Sequence, residues 1–164
     1  MKHNSVDNSQ DVIDSRDIIA RISDLVDERR NLDYAVDEAK EALAEAEPHP
    51  EHFTDWASVQ ERMQGTITEA QSDLADWDNS DDAEELKVLQ ALADEDISEW
   101  EDGATLIRDS YFETYAMELA DDIGAIKGTE GWPLTCIDWE KATRELKYDY
   151  LPVDFDGVEY WYRS

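Results

Sequence analysis

The sequence predicts a mainly α-helical α+β fold: an N-terminal antiparallel helical hairpin, then a small α+β module with a C-terminal β-hairpin. Three observations predict it. Apolar residues recur at steps of four and three along two long runs, which places them on one side of a helix. A short turn, Pro48-His49-Pro50, separates the runs. Near the C-terminus two brief apolar stretches flank Asp156-Gly157, a dipeptide suited to the type I′ turn of a hairpin.

Residues 1–14 are polar and without periodicity, and read as a flexible start. From Ser15 to about Glu47 no Gly or Pro interrupts, and Ile18, Ile22, Leu25, Leu32, Val36, Ala39 and Leu43 form an a/d seam with Arg29 at the one missing step. Such a helix would span roughly 45–50 Å at 1.5 Å per residue. Pro48 ends it, because the residue before a proline is pushed out of the α region. A second helix from Thr54 or Asp55 to Trp77 carries Trp56, Val59, Met63, Ile67, Ala70, Leu74 and Trp77 on one side, with Gly65 weakening its centre by about 1 kcal/mol. The seam suits the inner face of a hairpin, and it equally suits pairing with a second chain in a homodimer; Arg29 would select register in either case.

Asp78-Asn79-Ser80 reads as a helix stop followed by a cap, and a third helix runs from Asp81 to about Ala93. Asp94–Gly103 reads as an acidic linker with a short helical turn around Ile97 and Trp100. Beyond it, Ser110 is placed to cap a helix through Ala120–Ile123, with Tyr111, Tyr115, Leu119 and Ile123 inward and Gly124 at its end. Asp138 is placed to cap another that reaches about Tyr148, with Trp139, Ala142 and Leu146 inward; the hairpin strands are Val153–Phe155 and Val158–Tyr162. The expected organisation is therefore a flexible 1–14, a helical hairpin 15–78, a short helix and acidic linker 79–103, and an α+β module 104–164.

Of 164 residues, 43 are acidic and 14 are Lys or Arg, a formal net charge of −29, while 41% are hydrophobic. That is too much apolar material for a disordered acidic tail. No run approaches a membrane span and no apolar stretch follows Met1-Lys2. The single Cys136 cannot form an internal disulfide, so the expected compartment is the cytoplasm. The charge excludes direct binding to DNA, RNA or anionic lipid, whose recognition rests on Lys and Arg replacing counterions. It attracts basic clefts instead, and such clefts are commonly nucleic-acid sites. The excess is uneven: −7 over 1–50, −15 over 51–103 and −7 over 104–164.

No catalytic arrangement stands out. His3, His49 and His52 lie in the tail and the helix turn, and Cys136 has no His near it in sequence. Asp76, Asp78, Ser80 and Asp82 alternate somewhat like a calcium loop, but the glycine position holds Asp81 and the closing acid position holds Lys87. No Gly-rich phosphate loop is present, and chance carboxylate pairs carry no information among 43 acids. The expectation is a non-enzyme without metal or cofactor.

The acid itself is then the candidate function. Duplex DNA carries about one negative charge per 1.7 Å of axis, so −29 corresponds to roughly 50 Å of duplex. Carboxylates at Asp24, Asp27 and Glu28, and at Asp37, Glu38, Glu41 and Glu45, would form rows along the first helix. The partner-binding, phosphate-mimicking candidates are Asp73, Asp76, Asp78, Asp81, Asp82, Glu84, Glu85, Asp94, Glu95, Asp96, Glu99, Glu101 and Asp102, supported by Asp121 and Asp122. The rival readings are a coiled-coil adaptor whose hairpin pairs with partner helices, and an acidic domain adapted to high salt. The concentration of charge in the middle third and the six retained tryptophans argue against the latter.

The last third adds a resemblance. Tyr111-Phe112 through Leu119-Ala120, Asp122-Ile123-Gly124-Ala125-Ile126, Ile137-Asp138-Trp139-Glu140, Arg144-Glu145-Leu146, Asp149-Tyr150, Gly157-Val158 and Arg163 together resemble the end of the ArdA antirestriction proteins over about 55 residues. The resemblance implies an elongated, dimeric mimic of B-form DNA, carried by a mobile element, that occupies the DNA site of type I restriction–modification enzymes and catalyses nothing. Nothing in the first two thirds matches the family's first two domains; a predicted helical hairpin stands there. Phage and plasmid anti-defence proteins, anti-CRISPRs among them, use acidic surfaces in the same general way, so a Cas effector is the second target class, met in the cytoplasm of an infected bacterial host.

Overall fold

The computed structural model describes residues 5–47, 55–128 and 131–164. The chain is mainly helical with a four-stranded antiparallel sheet, the α+β class read from the sequence. In order the elements are β1 (Val12–Asp14), α1 (Ser15–Glu45), α2 (Trp56–Asp78), α3 (Asp81–Ala93), β2 (Thr105–Arg108), α4 (Phe112–Asp122), α5 (Trp139–Leu146), β3 (Tyr150–Phe155) and β4 (Val158–Arg163). The chain divides into a helical unit, residues 22–87, and a sheet unit, residues 1–21 with 88–164. These bounds differ from the expected ones because α1 starts in the sheet unit and α3 ends there.

In the helical unit, the absence of Gly and Pro lets α1 run unbroken to Glu45. Leu25 and Val36 are buried on its seam, while Ile22, Leu32, Ala39 and Leu43 are half-buried. Arg29 fills the polar step of the seam and reaches across it. Its Nε donates to Asp78 Oδ1 at 2.8 Å and its Nη2 to Asp78 Oδ2 at 3.4 Å. The end of α2 thus lies beside the middle of α1. α2 buries Ile67 and continues through Gly65 without a break. The Pro48-His49-Pro50 turn and a helix start at Thr54 lie outside the described residues.

The sheet unit is built on strands ordered β1-β2-β4-β3. Ile13 pairs with Leu106, Ile107 with Trp161, and Val153 with Tyr160. Alternation along these strands gives two faces. One holds Ile107, Trp161 and Tyr150, and packs against Phe112, Tyr115 and Leu146 from α4 and α5; Phe112 meets Tyr150 edge-on, with ring centroids 5.0 Å apart. The other holds Ile13, Leu106, Val153, Phe155, Tyr160 and Tyr162, all buried. Covering both faces is why adjacent Leu106 and Ile107 are each fully buried.

Several elements differ from the sequence reading. Residues 12–14 are a strand, Val6 is buried, and the Tyr160 hydroxyl donates to Gln10 O at 2.6 Å, so this stretch is tied to the sheet. β2 has no counterpart in the reading, and β3 begins at Tyr150, three residues before the expected Val153. α4 follows a single turn of 3-10 helix, Asp109–Tyr111, so Ser110 does not cap it. Its end is as expected at Gly124 (φ +72), but Ile123 is 70% exposed. Asp138 does cap α5, its Oδ1 accepting from Lys141 N at 3.0 Å. Asp156 (φ +50) and Gly157 (φ +77) both take the left-handed conformation that a type I′ turn needs.

Candidate functional site

The acidic candidates fall into two groups, one in each unit. In the helical unit, Asp73, Asp76 and Asp78 lie on the last turns of α2 and Asp81, Asp82, Glu84 and Glu85 on the first turns of α3. The junction between the helices is pinned: Ser80 Oγ donates to Trp77 O at 2.7 Å and accepts from Ala83 N at 3.3 Å, and Asn79 Nδ2 donates to Ala75 O at 2.6 Å. Acids in the first turn of α3 are also favoured by the positive end of its dipole.

Helical geometry sorts these residues by face. At about 100° per residue, Asp73 and Asp76 share an arc of about 120° with Glu61 and Glu69, turned away from buried Ile67. Asp78 falls on the seam side instead, where the Arg29 fork neutralises part of its charge. It serves as a strut between helices more than as a free anion. On α3, Asp81 and Glu84 lie opposite buried Leu86 and are exposed, whereas Asp82 and Glu85 flank it and are half-buried. Glu84 also approaches Lys87 at 3.5 Å. On α1, Asp27, Glu38, Glu41 and Glu45 lie opposite Leu25 and Val36, with Asp27 bound to Arg30.

In the sheet unit, Asp94, Glu95, Asp96, Glu99, Glu101 and Asp102 are all exposed along the segment between α3 and β2. This segment was expected to be a linker, yet its backbone is fixed from several sides. Ile97 is buried, and the Tyr162 hydroxyl donates to Asp96 O at 3.3 Å. Fully buried Ser15 donates through Oγ to Trp100 O at 2.6 Å and accepts from Ala104 N at 2.8 Å. Next to it, Arg16 Nη2 binds Asp14 Oδ2 at 2.5 Å, and the guanidinium holds the Asp14 carboxyl below its ordinary range. Asp121 and Asp122 are exposed at the end of α4; Asp121 Oδ1 accepts from Gly128 N at 2.9 Å, so it also shapes a turn.

The residues that sequence reasoning missed are Glu61 and Glu69, which extend the Asp73–Asp76 row along α2. The three-and-four periodicity that located the seam would have found them had it been applied to the polar face. Cys136 is exposed. Among the described residues no group of three or more His, Cys, Asp or Glu could hold a metal ion, and none of the described helices is long and apolar enough to cross a membrane. No protein-family model, curated protein or solved structure matches the chain.

Proposed function

We propose that this chain is a non-enzymatic anti-defence protein of a phage or mobile element. It acts as a DNA mimic that occupies the basic DNA-binding cleft of a host restriction–modification or CRISPR–Cas complex, in the cytoplasm of an infected bacterium. The observation that carries this reading is the charge of the helical unit: residues 22–87 hold 20 acidic and 5 basic side chains, net −15. Outward rows on α1 and α2 put carboxylates at steps such as Glu69 to Asp73, about 6 Å along the axis, and Asp73 to Asp76, about 4.5 Å. Each carboxylate acts as a phosphate surrogate rather than as an acid or base. Holding like charges together costs folding stability, and a basic cleft relieves that repulsion on binding. The ArdA resemblance in the last third supports the same class and favours a type I restriction enzyme as target.

The test is displacement. A labelled duplex is bound to a purified type I restriction complex, and separately to a Cas effector, and the protein is titrated in at low salt. Loss of bound DNA from one of them is expected; DNA that stays bound to both defeats the reading. A second reading, a helical adaptor, is favoured by the half-buried seam residues Ile22, Leu32, Leu43, Val59, Met63 and Leu74. Under it, substitutions at Ile22 and Leu25 would control partner binding and salt would matter little.

A further inference from the structure

The sheet unit contains a cavity of about 240 Å³ between the 98–105 segment, α4 and one face of the sheet. Its floor follows from the strand register. Tyr150 pairs with Arg163, and continuing the β2–β4 register by two places sets Thr105 on the other side of Arg163. A hydroxyl, a guanidinium and a phenol therefore stand in a row across three neighbouring strands. Tyr115 from α4 adds a second phenol, and Ser98 and Glu99 line the wall. That wall is fixed: Glu99 sits at φ +59, a conformation few non-glycine residues adopt, and the Asp102 and Gly103 amides both donate to its carbonyl oxygen at 3.0 Å.

Two features of the lining point to a ligand. Neither Glu99 nor Arg163 forms an ion pair among the described residues, although the chain holds 43 acids. The Tyr115 and Tyr150 hydroxyls share one hydrogen bond at 3.0 Å, which uses one of their two protons and leaves the other to donate. Burial pushes the Tyr150 phenol pKa up, so Tyr150 keeps its proton across the physiological range.

We infer that this cavity binds a compact zwitterion of amino-acid size, its carboxylate on Arg163 and the tyrosine pair, its ammonium on Glu99. Arginine beside a neutral donor suits a carboxylate. A ligand with net negative charge is disfavoured, because the sheet unit carries 23 acidic and 9 basic residues. A ligand that is only cationic meets the guanidinium. The volume falls below the roughly 300 Å³ at which sites for drug-sized molecules begin, which sets the ligand's size. The inference shares one residue with the DNA-mimic reading, Glu99, which is also a phosphate-surrogate candidate; it uses nothing from the acidic rows of the helical unit, so either can fail without the other.

The test uses the full chain, isotopically labelled, with glycine, L-alanine and L-serine as probes and with acetate and methylamine as carriers of one charge each. At about 10 mM, where a Kd of about 1 mM gives near-saturation, at least one amino acid should shift the amide resonances of residues 98–105 and 163. Acetate and methylamine should bind at least tenfold more weakly. Arg163→Gln and Glu99→Gln should each weaken amino-acid binding at least tenfold with unchanged thermal midpoints. If Arg163→Gln does not fold, Glu99→Gln, at an exposed position, decides alone. No shift with any amino acid, shifts confined to other residues, acetate binding as tightly, or undiminished binding by the folded variants would each overturn the inference.

Discussion

Removing one hydroxyl, in Ser15→Ala, should cost this protein more than most core truncations of that size. Ser15 is fully buried where β1 becomes α1, and it closes a three-way junction with Trp100 and Ala104. Its own amide donates to Ala104 O at 2.9 Å and survives the substitution. Two side-chain hydrogen bonds do not. Trp100 is half-buried, so water can replace the donor to its carbonyl and the loss there is about 1 kcal/mol. Ala104 is only 7% exposed, so its N–H is left buried without a partner, at about 1–3 kcal/mol. Alanine regains a few tenths of a kcal/mol through helix propensity. The sum is about 2–4 kcal/mol, a fall of roughly 5–15 °C in Tm for a chain of this length. Urea titration followed by circular dichroism measures it, with Ser23→Ala on an exposed position of the same helix as control, expected within about 0.5 kcal/mol of the parent. A Ser15→Ala midpoint indistinguishable from the control's would refute the reasoning.

Three further outcomes are expected. Leu25→Ala, at a fully buried seam position, should lose about 2–5 kcal/mol, whereas Tyr34→Ala, 62% exposed on the same helix, should stay within about 0.5 kcal/mol; urea midpoints compare them. Lys147 Nζ lies 2.5 Å from Asp109 Oδ1, with the Trp161 indole donating to the same oxygen, and these partners hold the Asp109 carboxyl below its ordinary range. A lowered folded-state pKa gives stability that is present above the unfolded value of about 3.9 and lost as pH falls through the folded value. The stability advantage of the parent over Asp109→Asn should therefore be full at neutral pH and shrink under acid, and an advantage that grew on acidification would contradict it. Finally, self-repulsion among the carboxylates predicts that Tm rises with NaCl and levels off as the screening length falls below about 8 Å; a chain that does not fold at all in dilute buffer would instead support the high-salt adaptation reading.

The sequence made legible what is encoded locally. The period of α1, its freedom from Gly and Pro, the Asp138 cap and the Asp156-Gly157 turn each depend on residues a few places apart, and each has the expected structural outcome. β1 and β2 were not legible, because strands of three and four residues show no period and exist by pairing with each other some ninety positions apart. That pairing also turns Asp94–Gly103 from an expected linker into a fixed segment, since Ser15 reaches it only once β1 is in the sheet. The same holds for function. The acidic excess could be counted and the helical period puts Asp78 on the seam side, but its pairing with Arg29 required knowing how α1 and α2 meet. The row of Thr105, Arg163 and Tyr150 required the strand order β2-β4-β3, which nothing local specifies.

The proposed mimicry is tested most directly by the salt dependence of binding to whichever defence complex releases its DNA. If carboxylates stand in for phosphates, log affinity should fall linearly with log salt concentration, as it does for DNA itself. Neutralising the outer row of α2, by Glu61→Gln, Glu69→Gln, Asp73→Asn and Asp76→Asn together, should flatten that slope and weaken binding far more than the equal-charge change Glu113→Gln, Glu140→Gln, Asp154→Asn and Glu159→Gln in the sheet unit. Affinity indifferent to salt, or equal losses from the two sets, would contradict the claim that a particular row of fixed anions does the binding.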